Sequence, residues 1–213
     1  MDWVNKHLQI VPINTFIDPI FPVENAIITH AHADHAKPGH KNVLATKHTI
    51  KIMKIRYGEN CANNFQELSF NSPLNINGVK VTFFPAGHIL GSAQVLLEYR
   101  KDKINFTGDF KITKDDTCEN FRPVTCDTLV TEATFGLPIF QHPDPEVEIN
   151  KLINSLKNFS NRPHLIGVYA LGKAQRLIKL LRNKGYDETI FIHGALEKLS
   201  LIHISEPTRR IEI

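Results

Sequence analysis

The chain has 213 residues, 42% of them hydrophobic, and 25 Lys and Arg against 22 Asp and Glu leave a net charge of +3. That is enough length and apolar content for a globular core. No apolar stretch reaches the eighteen or so residues of a membrane helix, and Met1 to Gln9 lacks the basic region and apolar run of a secretory signal. Cys61, Cys118 and Cys126 are odd in number and irregularly spaced, which argues against a disulfide framework, so a reducing, cytoplasmic setting is expected.

In chain order, a short strand over 15–17 ends at Asp18, just before Pro19. The run Ala26-Ile27-Ile28-Thr29 reads as a buried strand. Directly after it comes His30-Ala31-His32-Ala33-Asp34-His35, three imidazoles and a carboxylate in six residues. Neutral imidazole and carboxylate are ligand types for zinc, manganese and iron. His30 and His32 can point the same way on an extended chain, while Asp34 and His35 can turn toward a second ion. An idle, solvated histidine-rich loop is the alternative. Residue type, spacing and placement after a strand all favour metal.

After a strand over 42–45, Ile50 and Met53 at helical spacing predict a helix over 48–57, stopped by Gly58. Asn75-Ile76-Asn77-Gly78 reads as a turn joining a short strand to another over 79–84, which leads to Gly87-His88. Strands over 93–99 and 103–107 follow, the second running into Gly108-Asp109. A lone His or Asp at a strand end is ordinarily structural. Here each adds a ligand type, and a carboxylate such as Asp109 can bridge two cations. A strand over 128–131 leads to Glu132.

The later chain is mixed. A helix over 146–159 carries Val147, Ile149, Leu152, Ile153 and Leu156 on its apolar side. A strand over 165–169, a helix over 173–184 stopped by Gly185, and a strand over 189–193 suggest a parallel unit with a right-handed crossover. Lys173, Arg176, Lys179 and Arg182 fall largely on one helix face. Lys173 and Arg176 lie near the helix start, where free N–H groups also favour phosphate, and are the candidate substrate contacts. Lys179 and Arg182 read as a solvated face. The net charge is too small to establish a nucleic-acid partner.

Taken together, the segments His30 to His35, Ala86-Gly87-His88-Ile89-Leu90-Gly91-Ser92-Ala93 and Thr107-Gly108-Asp109 resemble the metal motifs of the metallo-β-lactamase superfamily. Thr131-Glu132-Ala133-Thr134-Phe135-Gly136 resembles the acidic motif opening its β-CASP branch of nucleic-acid-processing nucleases, and Tyr169-Ala170-Leu171-Gly172-Lys173-Ala174-Gln175-Arg176 resembles a helix-opening segment of that branch's cap. With Cys126 to Val130 and Ile192 to Ala195, the run over 16–198 is most similar to bacterial ligase-associated DNA exonucleases.

The resemblance implies an α/β fold: a metallo-β-lactamase αββα sandwich over 1–134, then the start of an α/β β-CASP cap over 135–198. It implies one divalent ion held by His30, His32 and His88, a second held by Asp34 and His35, and Asp109 bridging them, the metal being zinc or manganese. Asp34, Asp109 and Glu132 would then belong to the catalytic machinery. Asp18 would orient a metal ligand, with an ordinary turn aspartate as its alternative, and Glu132 would hold a ligating imidazole in one tautomer. The expected activity is metal-dependent phosphodiester hydrolysis by a DNA exonuclease in DNA repair, associated with an ATP-dependent DNA ligase and a helicase. An RNA-processing nuclease of the same branch and a small-molecule metallo-hydrolase are the alternatives. Residues 199–213 look instead like read-through of a sequencing adapter. Because the family is longer, this chain is expected to carry most of the metal ligands but an incomplete, inactive site.

Overall fold

A computed structural model describes residues 3–203. The fold is mixed α/β, and its contacts divide it into two compact units, one up to Glu132 and one from Ala133 onward.

The first unit is built from two five-stranded sheets. In the first sheet β1 (Gln9–Ile10) runs antiparallel to β2 (Thr15–Ile17), and β3 (Asn25–Ile27), β4 (His40–Ala45) and β5 (Ala62–Glu67) continue parallel in that order. The second sheet is a meander of β6 (Pro73–Ile76), β7 (Val79–Pro85), β8 (Ala93–Tyr99) and β9 (Asp102–Phe106), with β10 (Thr128–Val130) added parallel to β9. Ile76 pairs directly with Val79, leaving Asn77-Gly78 as a two-residue loop with both residues at positive φ, the arrangement a tight hairpin favours.

Alternation along the strands builds the core. Val79, Val81 and Phe83 on β7, Val95 and Leu97 on β8, and Ile104 and Phe106 on β9 join Ile10, Ile17, Ile27 and Leu44 from the first sheet in one buried cluster. The opposite face of the first sheet presents Ala26, Val43 and Ala45 to Ile50 and Met53 of α1 (Lys47–Tyr57), the helix the periodicity predicts. Thr46 caps α1 by accepting the Thr49 N–H, and Gly58 ends it. Beside the second sheet no helix lies among the described elements of this unit. The irregular segment 111–122 runs along the end of β7 instead, where the Arg122 N–H donates to Pro85 O.

The second unit contains α2 (Pro145–Asn158), α3 (Lys173–Asn183) and α4 (Gly194–His203). Asp144 caps α2 through the Glu146 N–H, with Pro145 in the first turn. At the start of α3 the buried Gln175 side chain accepts the Gly172 N–H at 2.7 Å and donates to Ala170 O at 2.9 Å. The strands expected over 165–169 and 189–193 are absent from the described ladders, and with them the parallel crossover unit. Both segments keep a two-residue alternation: Val168, Ala170, Ile190 and Ile192 turn toward Ala174 and Ile178 of α3, while Tyr169 and Phe191 are each 74% exposed. A strand needs a partner backbone, and neither segment has one among the described residues. Arg182, expected to be solvated, donates to Tyr186 O and to Glu188 O and so pins the turn that follows α3. Helix α4 runs across the boundary expected after Lys198, and Leu199 is buried. The rest of the expected adapter segment, from 204 on, lies outside the described residues.

Candidate metal centre

Three strand ends deliver the candidate ligands. Beyond β3 the chain stays buried through Ile28 and Thr29, whose C=O accepts the Ala93 N–H, so His30 emerges where the two sheets are tied together. A single turn follows, with the Ala36 N–H on His32 O at 2.8 Å, and it places Asp34 and His35 on the rim. Arg56 of α1 donates to Ala31 O at 2.8 Å and steadies that turn. His88 leaves β7 with its N–H and that of Ile89 both donated to Ser92 Oγ. Asp109 leaves β9 through Gly108, at φ 54°, where a Cβ would sit only 2.8 Å from the Thr29 side chain. Glycine is required there because the two strand ends touch.

These residues converge. His30 Nε2 and His88 Nε2 each lie 3.1 Å from His32 Nδ1, and Asp109 Oδ2 lies 3.6 Å from His30 Nε2 and 3.5 Å from His88 Nε2. The other oxygen, Asp109 Oδ1, is 3.4 Å from His35 Nε2, and Asp34 Oδ2 is 3.7 Å from the same nitrogen. Asp109 therefore turns one oxygen to each side.

Asp18 fixes the orientation of both sides. It accepts the Thr29 N–H at 2.7 Å, the Thr29 hydroxyl at 2.5 Å and His35 Nδ1 at 2.8 Å. Because the Thr29 proton goes to Asp18, its oxygen accepts from His30 Nδ1 at 3.0 Å, which leaves the His30 Nε2 lone pair facing the cluster. By the same logic His35 donates from Nδ1 and turns Nε2 toward Asp34 and Asp109. Lone pairs and carboxylate oxygens this close repel one another unless a ring proton or a metal cation lies between them. The donor set fits a divalent metal: among the described residues, His30, His32, His88 and Asp109 form one such group and Asp18, His30 and His35 another.

The electrostatics agree with that donor set. Burial holds His30 well below the usual histidine range, and the charges of His35, His32 and His88 add to the effect. Burial likewise takes His88 to about 4, helped by His32 and Lys111 and opposed by Glu132. Burial also works against protonation of His35, but the Asp18 hydrogen bond and the charges of Asp18, Asp109 and Asp34 outweigh it and raise its pKa. Asp109 is pushed up by burial, with His35 pulling it down and Glu132 and Asp34 adding to the rise. Glu132 is thus close enough to act on His88 and Asp109 through its charge. A cleft of about 320 Å³ opens on the His35 side, with Asp34, His35, Asp109 and Glu132 on its polar wall and Ile17 and Phe106 on its apolar one.

Lys173 and Arg176 belong to the second unit. Lys173 is exposed, its ammonium 5.0 Å from the centre of the Tyr169 ring, and Arg176 is half-buried. Sequence reasoning overlooked Thr29, Ser92 and Arg56 among the groups that orient the candidate ligands. The small hydroxyls beside ligand residues (Thr29 before His30, Ser92 in the loop after His88) were the signal available for two of them. None of the three cysteines is in a disulfide, and no helix among the described residues is long and apolar enough to cross a membrane.

No protein-family model matches the chain. Curated proteins do. Over 204 residues, 92% of this chain, it is 28% identical to a "Probable DNA ligase" of Opitutus terrae. Over 151 residues, 68% of the chain, it is 34% identical to "Endoribonuclease ysh1" of Aspergillus fumigatus, and over 62% of the chain it is 35% identical to "Cleavage and polyadenylation specificity factor subunit 3" of Dictyostelium discoideum. The chain spans 19%, 16% and 16% of those three proteins, less than a fifth of each. The structure is similar to that of a protein of unknown function from Enterococcus faecalis V583, with a TM-score of 0.59 at 16% identity, covering 83% of this chain and 48% of that one.

Proposed function

We propose that this chain carries the metal centre of a nucleic-acid phosphodiesterase of the metallo-β-lactamase superfamily, β-CASP branch. The observation that carries the proposal is Asp109, whose Oδ2 addresses His30 and His88 nitrogens and whose Oδ1 addresses that of His35, all 3.4–3.6 Å away. Its relatives' names add weight, since they join nuclease action with DNA and RNA. In this reading the two sheets with α1 are part of an αββα sandwich over 1–134, and residues 135–198 begin the cap. His30, His32 and His88 hold one ion, Asp34 and His35 the other, and Asp109 bridges. Zinc is the metal that this imidazole-rich set fits first, with manganese second.

When bound, such a pair of ions supplies a nucleophile at neutral pH and offsets charge on phosphoryl oxygens. The chain's own residues do the rest. Asp18 holds His35 and, through Thr29, His30 in the tautomers that offer Nε2. Asp34 and Glu132 line the cleft mouth, and without cations this carboxylate wall would repel a phosphate. Lys173 and Arg176 contact the backbone of the nucleic acid.

The finer reading is a DNA exonuclease of repair, acting with a DNA ligase and a helicase in the cytoplasm, supported by the match along 92% of the chain to a protein named as a DNA ligase. An RNA-processing nuclease is the second reading, supported by the higher identity of 34–35% to an endoribonuclease and a polyadenylation factor subunit. The test is end-labelled single- and double-stranded DNA and RNA, offered with and without chelator to this chain and to a longer relative. Metal-dependent cleavage is expected of the longer relative, lost when the residues matching His30 and Asp109 are replaced by Ala. Cleavage that persists in chelator, by protein holding no transition metal, would overturn the reading. Faster loss of RNA than of DNA would select the second one.

A further inference from the structure

The loop that delivers His88 is held three residues further on. Gly91 has φ 77°, and a Cβ there would lie 2.7 Å from His48 Cβ and 2.8 Å from Thr46 Oγ1, so its backbone rests directly on the start of α1. Its C=O accepts the Thr46 hydroxyl at 2.7 Å and the Thr49 hydroxyl at 3.1 Å. Its N–H donates to Glu119 Oε2 at 3.1 Å, while Glu119 Oε1 lies 3.5 Å from His48 Nδ1. Both polar groups of Gly91 are thus taken by side chains from two distant segments. Glu119 comes from segment 111–122, which follows Asp109 and also grips the front of the loop through Lys111 N–H on Ala86 O and Cys118 Sγ on Gly87 O.

We propose that Glu119 is a positioning residue for His88, fixing Gly91 so that the imidazole faces His32 and Asp109. The proposal rests on the metal-centre reading above. A carboxylate accepting a backbone N–H makes a charge-assisted bond, roughly twice as strong as a neutral one. Burial would favour the protonated acid, but the bonds from His48, from the residue's own backbone N–H and from Gly91 hold the Glu119 pKa down. Inside the clamp, Ser92 Oγ gathers the N–H groups of His88 and Ile89, so a shift of Gly91 is passed to the ligand within one turn.

Two variants of equal volume separate positioning from filling. Glu119→Gln keeps an acceptor for the Gly91 N–H, and Glu119→Met fills the space without one. Competition titration with zinc is expected to show Glu119→Met weakening one of the two ions about tenfold, as loss of an outer partner of a ligand does. The other ion and the melting temperature of the metal-free protein should hold, and Glu119→Gln should stay close to wild type. Equal zinc affinity in the Met variant overturns the proposal. So does an equal loss at both ions together with a lower metal-free melting temperature, which would mark Glu119 as a general fold contact. Wild-type protein that takes up no zinc would overturn the metal-centre reading itself, a failure distinguishable because no variant then differs.

Discussion

His40 opens β4 fully buried, accepting the Val23 N–H on Nδ1 at 3.2 Å, with no hydrogen-bond partner for Nε2 among the described residues. Burial lowers its pKa, so the folded protein keeps it neutral where the unfolded chain binds a proton. The sign follows from that difference. The stability it lends is complete above the unfolded value near 6.5 and is lost as pH falls from there toward the folded value. The slope is at most about 1.4 kcal/mol per pH unit for one proton. His40→Asn keeps an acceptor for Val23 and removes the titration. Its unfolding free energy, measured by denaturant at a series of pH values below 6.5, is expected to fall less steeply than that of wild type; parallel curves would show that His40 titrates alike in both states. At this scale the ligands were legible because His and Asp recur directly after apolar runs, at His30, His88 and Asp109. Their supports were not legible from spacing: Asp18, 11 residues from Thr29, was named through the resemblance alone, and Arg56, 25 residues from Ala31, was missed, because only the folded chain brings these residues together.

Among the elements, α1, α2, α3 and the meander β7 to β9 could be read from the spacing of their apolar residues. Strand β5 could not. Its residues Asn63, Asn64, Gln66 and Glu67 are exposed at the sheet edge, and it is held by backbone pairing with β4 rather than by an apolar pattern. The reverse error, at 165–169 and 189–193, came from apolar alternation that is present but pairs with no strand. Helix α3 carries a prediction of its own. Lys173 begins the helix in the open, and Arg176 lies one turn on. If they hold backbone phosphate, Lys173→Ala and Arg176→Ala are each expected to reduce the slope of log affinity for single-stranded DNA against log salt by about 0.7. Bound metal should be unchanged. Unaltered slopes in both variants would return these side chains to solvent.

On the scale of the whole molecule, every candidate ligand lies in the unit that ends at Glu132, from Asp18 through Asp109. Both sheets, α1 and segment 111–122 lie there too. The two sheets share a core of fully buried Val, Ile, Leu and Phe side chains, each contributing about 1.5–3 kcal/mol. A chain ending at Phe140 is therefore expected to fold and to bind the same number of zinc ions as the 213-residue chain, by elemental analysis after gel filtration. Asp109→Ala in that shorter chain should lose both ions, since its Oδ2 serves the His30 and His88 side and its Oδ1 the His35 side. His88→Ala should lose one, because His88 stands near Asp109 Oδ2 alone. Should the shorter chain fold, by its circular dichroism and melting, yet hold fewer ions, a ligand must come from the second unit. Loss of a single ion in Asp109→Ala would instead show that the carboxylate serves one ion and does not bridge.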